Sequence, residues 1–465
     1  MLQPQAPKRV EDLPLHAAGL RECSRRIVDG HCTAEALTRA LIERIERLEP
    51  HIQAWEWLDP GHAIASARLA DLRRAHVVSS RDPASMLSFE ERGILPGVPI
   101  AVKDIVDVLG MPTRMGSPIY RDHWPQDSAR LAHRMIDSGA ISLGKTVTTE
   151  FAFMVPNKTR NPWNTGHTPG GSSSGSAAAV ACGMVAGAIG TQTNGSIIRP
   201  GAFCGVVGFK PGLGEVPTDG VLPFSGTLDQ PGVFTRSVED AALLASWITA
   251  RQGMIARRIP VLKAAPRLVA VKSPVWDKAE PDQRARFAAD IDGLRKEGAE
   301  VDERELPAAF ERAHGIHRTI MLYEAALGSR PIREKWGAHF SAFLATALEE
   351  GDRTSEAEYR QALDARAALI RAFVGFLDDR YAAVITPPAP GEAPAGLGAT
   401  GDPAFCTMWT LLGVPAITIP TGLGSRGLPL GLQIVGRPAE SNYLLAVAAW
   451  CEARRPFAKL VDRAE

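Results

Sequence analysis

Two glycine- and serine-rich turns carry the side chains of this sequence that are best suited to nucleophilic chemistry. Residues 170–175 read Gly-Gly-Ser-Ser-Ser-Gly, and residues 193–196 read Thr-Asn-Gly-Ser. Glycine allows a backbone to approach a ligand closely, and a rigid serine among free backbone N–H groups suits a nucleophile that faces an oxyanion hole. Such turns also occur as linkers, structural turns and phosphate-binding loops. These residues alone therefore leave catalysis and a structural or anion-binding role open.

The segment between the two turns restricts these alternatives. The run Ala177–Ile189 consists of small, mostly apolar residues and predicts one buried helix of about three to four turns, too short to span a membrane. A flexible linker would not continue into a long apolar helix. A Walker-type phosphate loop would end in Gly-Lys-Ser or Gly-Lys-Thr, and this glycine-rich turn contains no lysine.

A single lysine upstream of the turns is a candidate base. Residues 97–104 read GVPIAVKD, so Lys103 closes an apolar run of the kind that forms a buried strand. Lysine is seldom fully buried without a partner, but desolvation lowers its pKa and makes the neutral amine available as a base. Because no histidine lies within sequence reach of Ser196, a Ser/Lys arrangement is the natural candidate.

Three motifs together resemble the amidase signature family of serine hydrolases: GVPIAVKD at 97–104, GGSSSGS at 170–176 and TQTNGSIIRP at 191–200. Ser172 and Ser196 are 24 residues apart, and Lys103 lies 93 residues before Ser196. The second spacing is similar to that of malonamidase-type members. The resemblance covers nearly the whole chain and is weakest between residues 255 and 400.

The resemblance implies an α/β fold, in which a single large domain over residues 1–465 has a central mixed β-sheet covered by helices on both faces. It places a signature core with the catalytic residues at 94–240 and a variable region that shapes the substrate entrance at 255–400. The N-terminal part is expected to pack as an accessory layer, which leaves a homodimer open.

The resemblance also assigns catalytic roles. Ser196 is the expected nucleophile, Lys103 is the base, and Ser172, after a cis peptide bond with Gly171, relays the proton between them. The backbone of the second turn is expected to form the oxyanion hole, through Thr193, Asn194, Gly195 and Ser196. Asn194 stands where many relatives have glycine, and asparagine tolerates a left-handed backbone better than most residues.

Three substrate-binding candidates follow from the same comparison, namely Arg199, Ala152 and Trp409. Arg199 lies three residues after Ser196, as in malonamidase-type members, where the matching arginine holds a substrate carboxylate. The alternative, which we favour, is a buried structural arginine paired with a local aspartate. Trp409, like Phe405 and Met408, either lines the substrate entrance or packs in the core.

Composition excludes several other classes. Among 465 residues, lysine plus arginine and aspartate plus glutamate both total 52, so no basic surplus indicates nucleic-acid binding. The six cysteines have no paired C-x-x-C spacing and no His/Cys/Asp cluster has ligand spacing, so we expect neither a disulfide framework nor a metal or other cofactor. No stretch reaches 18 apolar residues, and the start has no apolar signal segment. A cytoplasmic protein without membrane partners is the expectation.

Three functions remain. The first is a stand-alone serine amidase that cleaves a small amide and also accepts aryl amides, carbamates or esters. The second is the glutamine-hydrolysing subunit of a tRNA-dependent amidotransferase, against which Gln192 weighs because that branch usually has aspartate there. The third is a non-catalytic binding protein, disfavoured because all three catalytic positions are intact.

Hydrophobic periodicity and turn residues predict the elements around the motifs. Thr33 is the expected N-cap of a helix over 34–48, and a βαβ unit is expected from strands at 94–104 and 140–146 around a helix at 128–138. The other expected helices are 63–75, 238–250, 281–296 and 355–380. The other expected strands are 53–58, 268–271, 299–303 and 382–386, with an irregular loop over 387–401.

Overall fold

The computed structural model describes residues 13–79, 95–251, 253–457 and 460–461. Residue 94, the first of the expected strand at 94–104, lies outside these ranges. The strands of the described residues are β1 (Trp55–Leu58), β2 (Pro99–Lys103), β3 (Ile141–Thr146), β4 (Gly187–Gln192), β5 (Val207–Lys210), β6 (Gln230–Thr235), β7 (Arg267–Lys272), β8 (Glu300–Glu305), β9 (Ala383–Thr386), β10 (Ala416–Leu423) and β11 (Pro429–Val435).

The helices surround this sheet. They are α1 (Leu20–Val28), α2 (Ala34–Ile52), α3 (Pro60–Ser79), α4 (Arg130–Asp137), α5 (Ser174–Ala181), α6 (Ile198–Cys204), α7 (Val238–Ile248), α8 (Pro281–Lys296), α9 (Ala313–Trp336), α10 (Ala342–Arg353), α11 (Glu356–Leu377), α12 (Ala404–Leu412) and α13 (Ser441–Arg454). Within the described ranges, no helix combines the length and apolar character needed to cross a membrane.

Within the described residues, one mixed sheet of eleven strands forms the centre of the fold, in the order β1-β3-β2-β4-β6-β5-β10-β11-β9-β7-β8. β2 is parallel to both of its neighbours, β3 and β4, whereas β4 and β6 are antiparallel. The predicted βαβ unit is confirmed, because α4 connects the parallel strands β2 and β3. The carboxyl ends of β2 and β4 therefore lie at the same edge of the sheet, which brings Lys103 close to the turn that follows Gln192.

The apolar side chains of the central strands point alternately to the two faces of the sheet, which explains why helices cover both faces. Ile100 and Val102 of β2 belong to the larger hydrophobic core, together with residues of α7, whereas Ala101 belongs to a second core with residues of α2 and α5. Successive side chains of a strand point to opposite faces, so an uninterrupted apolar run is buried on both sides.

The expected helix over 177–189 is wrong in its second half. α5 ends at Ala181, Gly183 adopts a positive φ of 66°, and the chain continues as the buried strand β4. Gly183 can adopt this left-handed conformation at little cost because it has no Cβ. A short apolar run has the same composition in a buried helix and in a buried strand, so periodicity could not separate the two.

The other predicted elements form at or near the positions that the sequence gives them. Thr33 caps α2 by accepting a hydrogen bond from the Ala36 N–H, although the helix continues to Ile52. Ser355 starts α11 with a capping box that includes Glu358. The long helix α9 was not predicted, and it runs over the candidate site described below.

Candidate active site

Lys103 is the last residue of β2 and its side chain is fully buried. Its Nζ lies 2.7 Å from Ser172 Oγ and 2.8 Å from Thr191 Oγ1. Burial lowers the pKa of this lysine to about 7, although the nearby charge of Asp229 acts in the opposite direction. Because both close partners are neutral hydroxyl groups, neither stabilises the ammonium form as a carboxylate would. The lysine can therefore accept a proton near neutral pH.

Ser172 is held through the backbone on both sides of its peptide bond. The bond between Gly171 and Ser172 is cis, as the family resemblance implies. The Gly171 carbonyl accepts a hydrogen bond of 2.7 Å from Arg199 Nη2, and the Ser172 carbonyl accepts one of 3.3 Å from the Thr149 N–H. The hydroxyl of Ser172 is thus fixed beside Lys103.

Gln192 organises the turn that carries Ser196. This buried side chain ends β4, and its Oε1 accepts hydrogen bonds of 2.8 and 2.9 Å from the N–H groups of Ile197 and Ile198. Its Nε2 donates to Thr410 Oγ1 at 2.9 Å. Gln192 therefore satisfies free N–H groups at the start of α6 and ties the turn to α12. Ser196, between β4 and α6, remains 8% exposed.

Further contacts hold the same turn from outside. Thr193 Oγ1 donates to Asp229 Oδ1, and the Thr193 carbonyl accepts a hydrogen bond of 2.9 Å from His317 Nε2 on α9. Asn194 Oδ1 accepts one of 2.6 Å from Thr407 Oγ1. Gly195 packs directly on α12, where an added Cβ would come within 2.9 Å of the Pro403 Cβ. The position therefore excludes a larger residue.

The backbone of this turn offers donors to a ligand. Within the part of the chain that the structure describes, the N–H groups of Asn194, Gly195 and Ser196 donate no hydrogen bond. Asn194 is not among the described residues with positive φ, so its tolerance of the left-handed region is not used. The described hydrogen bonds also include none between the hydroxyls of Ser196 and Ser172. Transfer of a proton between these two serines therefore stays a prediction.

Arg199 is buried and faces backbone atoms. Its Nη1 donates to the Gly401 carbonyl at 2.8 Å, and its Nη2 donates to the Gly171 carbonyl and to Thr400 Oγ1 at 3.2 Å. Burial lowers the pKa of the guanidinium to about 10. The expected pairing with a local aspartate is absent among the described residues, and carbonyl oxygens take its place. This position favours the structural alternative over a carboxylate clamp.

The other two substrate-binding candidates lie in different surroundings. Trp409 is 1% exposed, and its ring centroid lies 5.6 Å from that of Phe373. This environment is that of a core residue, and Trp409 does not line the cavity described below. Ala152 is partly buried and has a φ of 60°, directly after Phe151, which does line the cavity.

Sequence reasoning missed several residues that position the reacting groups. Thr191 and Asp229 lie within segments that resemble the family, but a threonine and an aspartate at these positions did not by themselves indicate a role in the site. Asp229 accepts hydrogen bonds from Thr193 Oγ1 and from the Phe224 and Ser225 N–H groups, and burial raises its pKa to about 6. His317 lies in the region with the weakest motifs, and only the three-dimensional path of α9 brings it to the turn.

An apolar cavity of about 270 Å³ adjoins these segments. Its aromatic walls are Tyr120, Phe151, Phe224 and Phe340, and α9 and α10 contribute Ile332 and Leu344. Phe151 packs against Phe340 with ring centroids 5.1 Å apart. No lysine or arginine is among the described residues that line the cavity. Its surface is therefore suited to an apolar group.

A serine beside free backbone donors and a buried lysine with a lowered pKa are typical of serine hydrolases that use a lysine base. A model of the amidase family matches residues 36–445. The chain therefore belongs to the amidase family, and it is an enzyme that acts on carbon–nitrogen bonds.

Individual relatives cover almost the whole chain. It is 31% identical to the A subunit of the glutamyl-tRNA(Gln) amidotransferase of Gloeobacter violaceus, over 90% of this chain and 92% of that protein. A solved amidase structure is 31% identical with a TM-score of 0.82, covering 94% of this chain and 100% of that one. The peptide amidase of Stenotrophomonas maltophilia is 27% identical with a TM-score of 0.79, covering 95% and 98%. These structures share the mixed sheet flanked by helices.

Proposed function

We propose that this protein hydrolyses the C–N bond of a small amide through an acyl-enzyme on Ser196, with Ser172 and Lys103 as the proton relay. The observation that carries the proposal is the distance of 2.7 Å between Lys103 Nζ and Ser172 Oγ, in a site where burial lowers the lysine pKa to about 7. A serine hydroxyl is a weak nucleophile until a base removes its proton. A neutral lysine supplies that base without a histidine.

In this mechanism, Ser196 Oγ attacks the amide carbon while its proton passes to Ser172 and the proton of Ser172 passes to Lys103. The oxyanion of the tetrahedral intermediate accepts hydrogen bonds from the free N–H groups of the turn 193–196. The C–N bond breaks as the Lys103 ammonium returns a proton through Ser172 to the leaving nitrogen. Water then attacks the acyl-enzyme through the same relay and releases the carboxylic acid.

The second candidate is a glutamine-hydrolysing component of an amidotransferase. The sequence comparisons favour it over the first candidate, because the curated relatives, such as those of Gloeobacter violaceus and of Anaeromyxobacter at 33% identity, are amidotransferase A subunits. The apolar cavity beside the site favours the first, because none of its described lining residues is a lysine or arginine that could pair with the carboxylate of glutamine. Gln192, in place of the aspartate usual in that branch, also supports the first.

A turnover panel on the purified chain separates the two candidates. The panel contains primary amides, anilides, carbamates, esters and L-glutamine, with Ser196→Ala as the control and gel filtration to record the assembly state. Turnover of amides by the isolated chain supports the first candidate. Glutaminase activity that appears only with partner subunits supports the second. If a fluorophosphonate fails to label Ser196 and nothing is turned over, both candidates are wrong and the binding-protein hypothesis returns.

The cytoplasmic location and the homodimer stay predictions, as does the absence of nucleic-acid and membrane partners. Gel filtration of the isolated chain also tests the homodimer directly. A dimer would be consistent with the N-terminal layer, α1 to α3, acting as a contact surface, as the family resemblance implies.

A further inference from the structure

Asp107 is the one acidic residue among the described residues that line the apolar cavity, and the proposed mechanism does not use it. The Oδ1 atom of Asp107 is shielded from solvent without receiving a hydrogen bond from any described residue. The backbone of Asp107 is fixed, because its N–H donates to the Gly220 carbonyl at 3.0 Å and its carbonyl accepts from the Ala129 N–H at 2.8 Å. The side chain as a whole is only partly buried, so its carboxylate places a negative charge at the cavity wall that a cationic group can approach.

The remaining walls define the group to which such a cation would be attached. Tyr120 meets Phe151 edge-to-face with centroids 5.9 Å apart, and Phe151 in turn packs on Phe340. Aromatic faces attract cations, and no lysine or arginine is among the described lining residues, although the charge of Asp107 also acts on the buried Lys145. An aryl or alkyl group that ends in an ammonium suits this lining, whereas a carboxylate would be repelled by Asp107.

Hydrogen bonds link the walls of the cavity to segments of the candidate active site. The Met115 N–H donates to the carbonyl of Asp104, the residue after Lys103, and the Phe151 N–H donates to the Met115 carbonyl. On the other side, the Phe224 N–H donates to Asp229 Oδ2, while Asp229 Oδ1 holds Thr193. The segments that form the cavity are thus hydrogen-bonded to those that position the reacting groups, although Lys103, Ser172 and Ser196 themselves do not line it.

We propose that the cavity binds the apolar substituent of the amide substrate and that Asp107 selects substituents that end in an ammonium. The preferred substrates are then amides with an aryl or alkyl group carrying a positive charge. The identification as a substrate site rests on the proposed function, but ligand binding to the cavity can be measured without turnover.

Ligand binding to the Ser196→Ala protein tests directly whether the cavity selects ammonium groups. We expect benzylammonium to bind more tightly than benzoate in calorimetry, and Asp107→Asn to weaken benzylammonium binding by about tenfold or more, since hydrogen bonds to charged groups are the strong ones. Asp364→Asn removes the same charge at an exposed position of α11 and should change nothing. Equal binding of the two ligands, or an unchanged affinity in Asp107→Asn, would overturn the inference.

Substitutions at two glycines of α9 test whether the ligand binds in the cavity. Gly328 borders the cavity and Gly315 does not, and an added Cβ would meet no atom within 4 Å at either position. Both variants to leucine should fold, because leucine is the better helix former. Gly328→Leu should weaken benzylammonium binding and raise the KM of charged aryl amides, whereas Gly315→Leu should leave both unchanged. Equal behaviour of the two variants would place the ligand elsewhere.

Acetamide hydrolysis and fluorophosphonate labelling keep the two proposals apart. Acetamide has no substituent to fill the cavity, so its turnover and the labelling of Ser196 report on the mechanism alone. Loss of both in the unmodified protein would contradict the proposed function, while the binding measurements would still decide the role of Asp107. Normal acetamide turnover with no preference for ammonium substrates would overturn only the inference about the cavity.

Discussion

The candidate active site and the apolar cavity are neighbouring regions that are built by opposite means. Around Ser172 and the turn 193–196, buried side chains such as Gln192 and Arg199 hold the backbone by hydrogen bonds with fixed directions. The cavity is formed instead by rings and aliphatic side chains in nondirectional contact. Catalysis tolerates little displacement of the reacting groups, whereas single residues of an apolar wall can be substituted without loss of the wall. The comparison indicates that chemistry and selectivity can vary independently in this fold.

Helix α9 is the element on which the two regions meet. At one point His317 donates to the Thr193 carbonyl, and two turns further on Glu324 accepts hydrogen bonds from the Ser225 hydroxyl, the Thr227 N–H at 3.0 Å and the Tyr359 hydroxyl at 2.6 Å. Beyond Glu324, the same helix lines the cavity with Ala325, Gly328 and Ile332. A change along α9 should therefore affect catalysis near its start and selectivity near its end.

The largest effect is expected from removal of the reacting groups. Ser196→Ala and Lys103→Ala should each lower kcat for amides by about 10³-fold or more, because the residues act as one unit. Melting temperature and benzylammonium binding serve as controls and should change little in Ser196→Ala. Near wild-type amide turnover by Lys103→Ala would contradict the lysine mechanism. Ser172→Ala should affect amides more than activated esters, since amine protonation is the step it relays.

Replacement of Arg199 should lower both the stability and the activity of the protein, because its side chain holds backbone segments of the candidate active site. Arg199→Ala removes the donors to Gly171, Thr400 and Gly401, and we expect a loss of about 2–3 kcal/mol of unfolding free energy. Carboxylate and neutral amides should then suffer equally. Arg360→Ala, at an exposed position of α11, is the matched control. A selective rise in KM for carboxylate amides at unchanged melting temperature would instead support the clamp.

A smaller effect is expected on the cavity side. Glu324→Gln places an amide N–H₂ group among hydroxyl and N–H donors, so the contact between α9 and the segment 225–227 should loosen. The KM of aryl amides should rise roughly three- to tenfold while kcat for acetamide stays unchanged. Glu356→Gln, exposed at the start of α11, is the control. An equal loss for acetamide would mean that the two regions are not independent.

The smallest effect is expected from chelation, which should leave activity unchanged. Among the described residues, no group of three or more histidine, cysteine, aspartate or glutamate side chains is arranged to hold a metal ion. Assay after exhaustive dialysis against a chelator checks this expectation. Restoration of lost activity by one added divalent ion would contradict it.

The same contrast explains what could be predicted from the sequence. Lys103, Ser172 and Ser196 lie in short motifs whose residue types are dictated by local backbone and chemistry, and the structure brings Lys103 and Ser172 together. The segment 177–189, expected to be one helix, forms the end of a helix and the start of a strand. The apolar composition of the run does not show whether its backbone bonds within a helix or to a neighbouring strand. Trp409 was equally suited to a core or an entrance. The cavity depends on residues scattered from Asp107 to Leu348, so no local pattern could indicate it.

The central claim is that Lys103 acts as a neutral base, and the pH dependence of Ser196 labelling by a fluorophosphonate tests it most directly. Burial depresses the pKa of the folded-state lysine to about 7, so the ammonium predominates below that pH and cannot accept a proton. The labelling rate should rise through about pH 7 and level off above it, and the rise should vanish in Lys103→Met. A rate that is constant between about pH 5 and about pH 9, or an identical rise in Lys103→Met, would contradict the mechanism.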